Sequence, residues 1–130
     1  MPLGEIAYHE KGKNVGSRGI NFETSEIDFR GSSGESVGKG LPPPFPGLHD
    51  LTAGSAEGIW RSKTGETVVW RSLVMSREVK GRNRYIAVVT YTTESSKLSW
   101  LNGRVVIAEG NGDLATGEFT EIGYLWDWAD

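Results

Sequence analysis

Hydrophobic and polar positions alternate with a period of two along most of this chain. The alternating runs are rich in Val, Ile, Thr, Tyr and Trp, and glycines or prolines separate them at short intervals. This pattern is typical of β-strands joined by tight turns, because successive side chains of a strand point to opposite faces. It predicts seven strands, with an eighth over residues 13–20; the seven cover residues 5–10, 21–30, 52–62, 67–79, 84–93, 104–109 and 115–128.

The number of strands favours a closed sheet. An open sheet leaves two unpaired edges, and closure into a barrel removes them. We therefore expect an all-β fold, in which residues 1–130 form a single small antiparallel β-barrel of about seven or eight strands with one short helical turn. The helical turn is expected over residues 95–103, where it would plug one end of the barrel.

Three turns predict how the later strands pair. Residues 63–66 form a two- or four-residue loop that pairs Ser62 with Thr67, residues 80–83 pair Val79 with Arg84, and Asn111-Gly112 forms a type I′ turn. Residues 31–40 are rich in Gly and Ser and residues 41–47 are rich in proline, so both are expected to be irregular. The Pro42–Pro46 loop would then lie at the barrel mouth.

This pairing sorts the side chains of the three central strands into two faces. Both faces are largely apolar, so neither is expected to face only water. The second face mixes aromatic, small and polar residues, as the lining of a ligand cavity does. One face collects Trp60, Val69, Leu73, Met75, Ile86 and Val88, and the other collects Glu57, Ile59, Trp70, Ser72, Val74, Tyr85, Ala87, Val89 and Tyr91. Along the last strand, Ile122, Tyr124, Trp126 and Trp128 share a face and predict a core stripe.

Composition narrows the function mainly by exclusion. The 130 residues carry a net charge of −3 without a basic run, which gives no general attraction for nucleic acid or anionic membranes. Cysteine is absent, and neither a signal peptide nor a spanning helix is evident. We therefore expect a cytoplasmic protein that binds neither nucleic acid nor membrane. No nucleotide, phosphate or zinc motif occurs, so we expect no cofactor and no metal.

Glu57, on the mixed face, is the carboxylate that we predict to take part in catalysis. Inside an apolar barrel its pKa would rise by desolvation, which suits a general acid or base, and Tyr91 is a second candidate for handling a proton. An ion pair of Glu57 with Arg61 at the barrel rim is the structural alternative. The predicted ligand-binding residues are Ile59, Trp70, Ser72, Tyr85, Val89 and, from the proline-rich loop, Phe45.

The C-terminal half resembles a family of small uncharacterised microbial proteins. The resemblance rests on a Ser-x-Lys-Leu-x-x-Leu-Asn-Gly turn at Ser95–Gly103, on Gly54-Ser55-Ala56-Glu57-Gly58, and on the terminal Trp126-Asp127-Trp128. The hairpin pattern is similar to that of allene-oxide-cyclase-like and lipocalin-like barrels. This architectural similarity implies a hydrophobic lumen. The microbial family has no assigned reaction, so the resemblance supplies no catalytic residue.

Three functions fit these observations. The first is binding of a small, largely apolar molecule in the lumen. The second is a cofactor-independent isomerase or cyclase that acts on an apolar substrate in the same cavity. The third is a non-catalytic interaction module, in which the second apolar face is the interface of a homo-oligomer.

Overall fold

The chain folds into a closed antiparallel barrel of eight strands. The structure is a computed structural model and describes residues 5–15, 21–46 and 51–126, with side chains for 5–13, 25–41 and 51–126. Each strand pairs with the next along the chain, and the last pairs with the first. The predicted all-β antiparallel barrel is thus confirmed. The strands are β1 (Ile6–Val15), β2 (Asn21–Phe29), β3 (Ser32–Pro46), β4 (Leu51–Ser62), β5 (Thr67–Val79), β6 (Arg82–Thr92), β7 (Val105–Asp113) and β8 (Glu118–Leu125).

The hairpin between β4 and β5 has a three-residue loop. Arg61 pairs with Thr67, and the Ser62 amide donates to the Glu66 carbonyl at 2.8 Å, with Gly65 at φ +91°. Three-residue hairpins commonly place a left-handed residue at this position. The predicted pairing of Ser62 with Thr67 is therefore wrong by one residue. Because a shift of one residue turns every side chain of a strand to the other face, β4 is inverted relative to the prediction.

The hairpin between β5 and β6 is shorter than predicted but leaves the faces unchanged. Val79 pairs with Arg82 across a two-residue turn, in which Lys80 and Gly81 have φ values of +50° and +79°. Two positive φ values are the mark of a type I′ turn. The predicted partner of Val79 was two residues further on. A shift of two residues preserves side-chain direction, so the predicted faces of β5 and β6 agree with each other.

Two segments differ from the sequence prediction in their secondary structure. Residues 31–40 and 41–47 were expected to be irregular, whereas Ser32–Pro46 is β3 and pairs with β4 along its length. The prolines are accommodated by a register shift between Leu41 and Phe45, where their missing N–H groups are not needed. Asn111-Gly112 is not a turn, because Asn111 pairs with Thr120; the chain reverses instead at residues 114–117.

One end of the barrel is filled by an apolar core and closed by a short helical segment. A 3-10 turn, Ser99–Leu101, follows β6, and it places Leu98 and Leu101 in the interior. This confirms the predicted plug in a shorter form. Trp60 is completely buried beneath it and donates its indole N–H to the Ile27 carbonyl at 3.1 Å. Phe29, Val68, Val106 and Leu125 complete this end of the core.

Glycines within the strands make room for aromatic rings in the interior. The Tyr85 ring lies over Gly110, the residue with which it pairs on β7, and a Cβ at Gly110 would overlap the ring. Tyr8 lies over Gly123 in the same way. The large side chains therefore fill the interior across neighbouring strands instead of standing straight out from their own strand.

Candidate functional site

Two glutamates face each other on the inner wall, where the first and last strands close the barrel. Glu10 on β1 and Glu121 on β8 are direct cross-strand partners. Alternation explains their direction: Tyr8 is buried, Glu10 is half-buried, and His9 between them is exposed. Two like charges placed directly opposite each other destabilise a sheet. The pair therefore works against stability unless it shares a proton.

A set of O–H donors surrounds this pair. Tyr85 donates to Oε1 of Glu121 at 2.6 Å, and Tyr8 donates to Oε2. Glu10 also hydrogen-bonds Glu121, and Ser25 donates to Oε2 of Glu10 at 2.6 Å. Tyr85 reaches Glu121 only because Gly110, which lies between them, has no side chain.

Burial changes the acidity of both carboxyls. Desolvation raises the pKa of Glu10 well above its ordinary value, and the facing Glu121 carboxylate raises it further. Desolvation also raises the pKa of Glu121, although hydrogen bonds from Tyr8, Tyr85 and Glu10 oppose that change. Both shifts favour the protonated form, and the shift of Glu10 is the larger, so a proton that the pair retains lies on Glu10.

The three interior tyrosines stay neutral for the same reasons. Desolvation raises the pKa of Tyr8, Tyr85 and Tyr91 well above the ordinary value, and the nearby Glu121 charge adds to the effect. Each phenol therefore remains an O–H donor over the physiological pH range. A carboxylate held by such donors accepts hydrogen bonds, and a protonated carboxyl beside it donates one, so the pair offers a ligand both functions.

Replacing Glu10 with glutamine should remove a pH dependence of stability. The folded-state pKa of Glu10 is raised, so the stabilisation that Glu10 gives the fold is fully present below the ordinary glutamate pKa of about 4.3. This stabilisation is lost as pH rises through the raised pKa. Glutamine keeps the hydrogen bonds of the protonated acid. The variant should match the wild type near pH 4.5 and be more stable at pH 9, with wild-type losses of up to about 1.4 kcal/mol per pH unit.

Urea unfolding of the two proteins between pH 4.5 and 9 measures this difference. Glu118→Gln is the matched control, since Glu118 lies on the exposed side of the same strand as Glu121. Its profile should run parallel to that of the wild type. A Glu10→Gln profile that also runs parallel to the wild type would contradict the shared proton.

The inner wall changes in character along the barrel axis. Near the plug it is apolar and fully buried. At the level of the glutamate pair and beyond it, several inward side chains are only half-buried, and we call this part the open half. Its half-buried inward side chains are Glu10, Ser76, Asn83, Tyr85, Phe119 and Glu121. It therefore combines two aromatic rings with polar groups, as small-molecule sites do.

Five of the ligand-site and catalytic residues predicted from sequence point into the barrel interior. Trp70 donates its indole N–H to Ser36 Oγ at 2.7 Å, and the Tyr91 ring packs edge-on against Phe29 at 5.5 Å. The remaining three, Ser72, Tyr85 and Val89, lie on the same inward face of β5 and β6. The Phe45 side chain lies outside the described residues, although its backbone pairs with Ala53.

Glu57 and Ile59 do not point into the lumen. Both alternate with Trp60 along β4, so once Trp60 is buried they must lie on the outer surface. Ile59 is 41% exposed there. Glu57 lies on the same outer face, opposite Arg71 in the backbone register of β4 and β5. Their predicted direction is wrong because the three-residue loop shifts β4 by one position.

Sequence reasoning missed Glu10 and Glu121. On β8 the aromatic stripe was taken as the core, but Ile122 and Tyr124 lie on the outer side and Leu125 lies inside. Trp128 falls outside the described residues. The available signal was the set of glycines within the strands, such as Gly110 and Gly123, which only the interior of a tightly packed barrel requires.

No protein-family model matches the chain, and no protein of curated function is similar to it in sequence. A solved structure of similar fold is that of a conserved protein of unknown function from Rhodopseudomonas palustris. The two share a TM-score of 0.71 and 10% sequence identity, over 93% of this chain and 95% of the other. A likeness at this identity shows the fold alone, so the microbial family and the allene-oxide-cyclase-like classification stay predictions.

Within residues 5–15, 21–46 and 51–126, no group of three or more His, Cys, Asp or Glu side chains is placed to hold a metal ion. In the same ranges no helix has the length and apolar character needed to cross a membrane.

Proposed function

We propose that the chain binds a small molecule in the open half of the barrel. The molecule would have a largely apolar body and one hydroxyl or carbonyl group. The observation that carries this proposal is the half-buried inner wall, on which Phe119 lies two residues from Glu121 on the same face of β8 and Tyr85 donates to Glu121. A side chain that served only to fill the barrel would be fully buried, as those near the plug are.

The polar group of the ligand would be recognised at Glu10 and Glu121. Protonated Glu10 can donate to a carbonyl oxygen, and the Glu121 carboxylate can accept from a hydroxyl. Both groups act in a desolvated setting, where hydrogen bonds to charged partners are stronger than in water. The closed, apolar end beneath them fixes the depth to which a ligand can enter.

A second candidate function is proton transfer to and from a bound carbonyl compound. It is favoured by one observation, namely that two carboxyls with different hydrogen-bond partners lie side by side, of which Glu10 has the more strongly raised pKa. Such asymmetric pairs are typical of general acid and base roles. Glu121 would take a proton from the carbon next to the carbonyl while protonated Glu10 donates its proton to the carbonyl oxygen, which gives an enol. Return of the first proton from Glu121 to a different carbon, and of the O–H proton to Glu10, would complete a cofactor-independent isomerisation.

Thermal unfolding in the presence of a library of small aromatic and aliphatic alcohols and carbonyl compounds tests the binding proposal. A ligand present at about 100 times its Kd should stabilise the wild type by about 2.7 kcal/mol. Glu121→Gln should bind the same compounds at least about tenfold more weakly, because it removes the charged acceptor. Glu57→Gln, an equal change on the outer surface, should bind them as the wild type does.

Compounds that stabilise all three proteins equally would contradict the proposal, as would a library that stabilises none of them. Deuterium exchange at the carbon next to the carbonyl of a bound compound, followed by NMR, separates the two candidates. Exchange that requires both Glu10 and Glu121 supports proton transfer, and binding without exchange supports a binding protein alone.

A further inference from the structure

The outer surface of β3 to β6 carries large apolar side chains that no described residue covers. They lie in rows, each row being a set of cross-strand partners at one level of the sheet. The first row contains Val37, Ile59 and Val69 on β3, β4 and β5. A second row contains Leu73, which is 61% exposed, beside Val88. A third row contains Met75 and Ile86. Contiguous exposed patches of this kind mark interaction surfaces on soluble proteins.

An ionic row runs between the first two apolar rows. Glu57 on β4 and Arg71 on β5 are direct cross-strand partners in it. Neither makes an ion pair with another residue in the described part of the chain. Lys39 on β3 is the other cross-strand partner of Glu57. The row therefore carries Lys39, Glu57 and Arg71 side by side between two apolar rows.

We propose that this face is the interface of a homodimer, whose two-fold axis runs along the strands between β4 and β5. Rotation about that axis places β4 of one copy over β5 of the other. Each row then meets the same row of the second copy, so Ile59 meets Val69, Leu73 meets Ser55 and Met75 meets Ala53. In the ionic row, Glu57 of each copy meets Arg71 of the other.

Other orientations of the axis lose this match. An axis across the strands along the ionic row would place Glu57 against Glu57 and Arg71 against Arg71, which repel. A shallow hollow of about 920 Å³ spans β3, β4 and β5 on this face, with Val37, Ile59 and Val69 in its lining.

The face falls at the lower end of the size range of specific dimers. At a strand spacing of about 4.8 Å and a rise of about 3.3 Å per residue, four strands over ten residues span roughly 19 Å by 33 Å, or about 630 Å². Specific interfaces bury about 600–1,000 Å² on each partner. Aligned packing of two sheets also brings their strands within about 30° of each other, as this axis requires.

Paired charge reversals test the proposal. Glu57→Arg and Arg71→Glu should each weaken the dimer by about tenfold or more, because each creates two like-charge contacts across the axis. An equimolar mixture of the two variants should form a heterodimer, since the introduced arginine of one then meets the introduced glutamate of the other, and the unchanged Arg71 meets the unchanged Glu57. Light scattering after size exclusion, with native mass spectrometry, reports the masses.

Glu118→Arg, on the exposed side of β8, is the matched control and should stay dimeric like the wild type. Circular dichroism establishes that each variant is folded. Three results would overturn the proposal: a wild type that is monomeric at about 100 µM, an assembly other than a dimer, or two variants that stay monomeric when mixed. An ion pair within one copy would not respond to mixing, so the mixture distinguishes the two arrangements.

Discussion

Replacing Trp60 with alanine should lower the free energy of unfolding by about 3–5 kcal/mol. The side chain is completely buried, packs edge-on against Phe29 at 5.0 Å, and donates a hydrogen bond to the Ile27 carbonyl. Alanine leaves a cavity and an unsatisfied carbonyl in the fully buried core of the barrel. Since domains of this size are stable by about 5–15 kcal/mol, the loss is a large part of the total.

Ile59→Ala is the control, because it changes the neighbouring residue on the other face of β4. It should cost less than about 1 kcal/mol in a single chain, as exposed substitutions do. Both variants are compared in the Glu57→Arg background, so that association through Ile59 does not contribute. Urea unfolding measures the two values. An Ile59→Ala variant that loses more stability than Trp60→Ala would mean that β4 has the opposite register.

Replacing Gly110 with alanine should lower the free energy of unfolding by about 1–3 kcal/mol. The added methyl group would overlap the Tyr85 ring, so that ring must rotate away from β7. Rotation also breaks the hydrogen bond from Tyr85 to Glu121. We therefore expect a change in the near-ultraviolet circular dichroism of the tyrosines together with the loss of stability.

Gly112→Ala is the matched control, two residues further along the same inward face. A Cβ there would meet its nearest atom, Cβ of Phe119, at 3.4 Å, which is ordinary contact. Its unfolding free energy should stay within about 0.5 kcal/mol of the wild type, and its tyrosine spectrum should not change. Equal effects of the two substitutions would contradict the packing of Tyr85 over Gly110.

The barrel and its plug could be predicted because they depend on local patterns. Alternation identifies strands whichever neighbour they pair with, and Leu98 and Leu101 mark an apolar segment between two strands. The faces of β5 and β6 were predicted consistently as well. There the loop length was wrong by two residues, and a two-residue error leaves side-chain direction unchanged.

The side chains of β4 that face inward could not be predicted, because a change of one residue in the length of the β4–β5 loop reverses their direction. Two- and four-residue loops both place Glu57 and Trp70 on one face, whereas the observed three-residue loop separates them. The β3 strand was missed for another reason. Its serines and glycines are typical of loops, but here they are the small inward residues over which the rings of Trp60 and Trp70 lie.

The glutamate pair could not be predicted from local patterns at all. Glu10 and Glu121 lie near opposite ends of the chain, and only the closure of β8 on β1 brings them together. The two functional proposals therefore use different parts of the barrel. The inward side of β1 and β8 holds the glutamate pair that suits a ligand, and the outward side of β3 to β6 holds the surface that suits a second copy.

Native mass spectrometry of the chain, purified from the organism that encodes it, tests the binding proposal most directly. We expect a retained small molecule in the wild type and in Glu57→Gln, and its loss in Glu121→Gln. A wild-type spectrum with only the bare polypeptide, or a molecule retained equally by all three proteins, would contradict a ligand site at the glutamate pair.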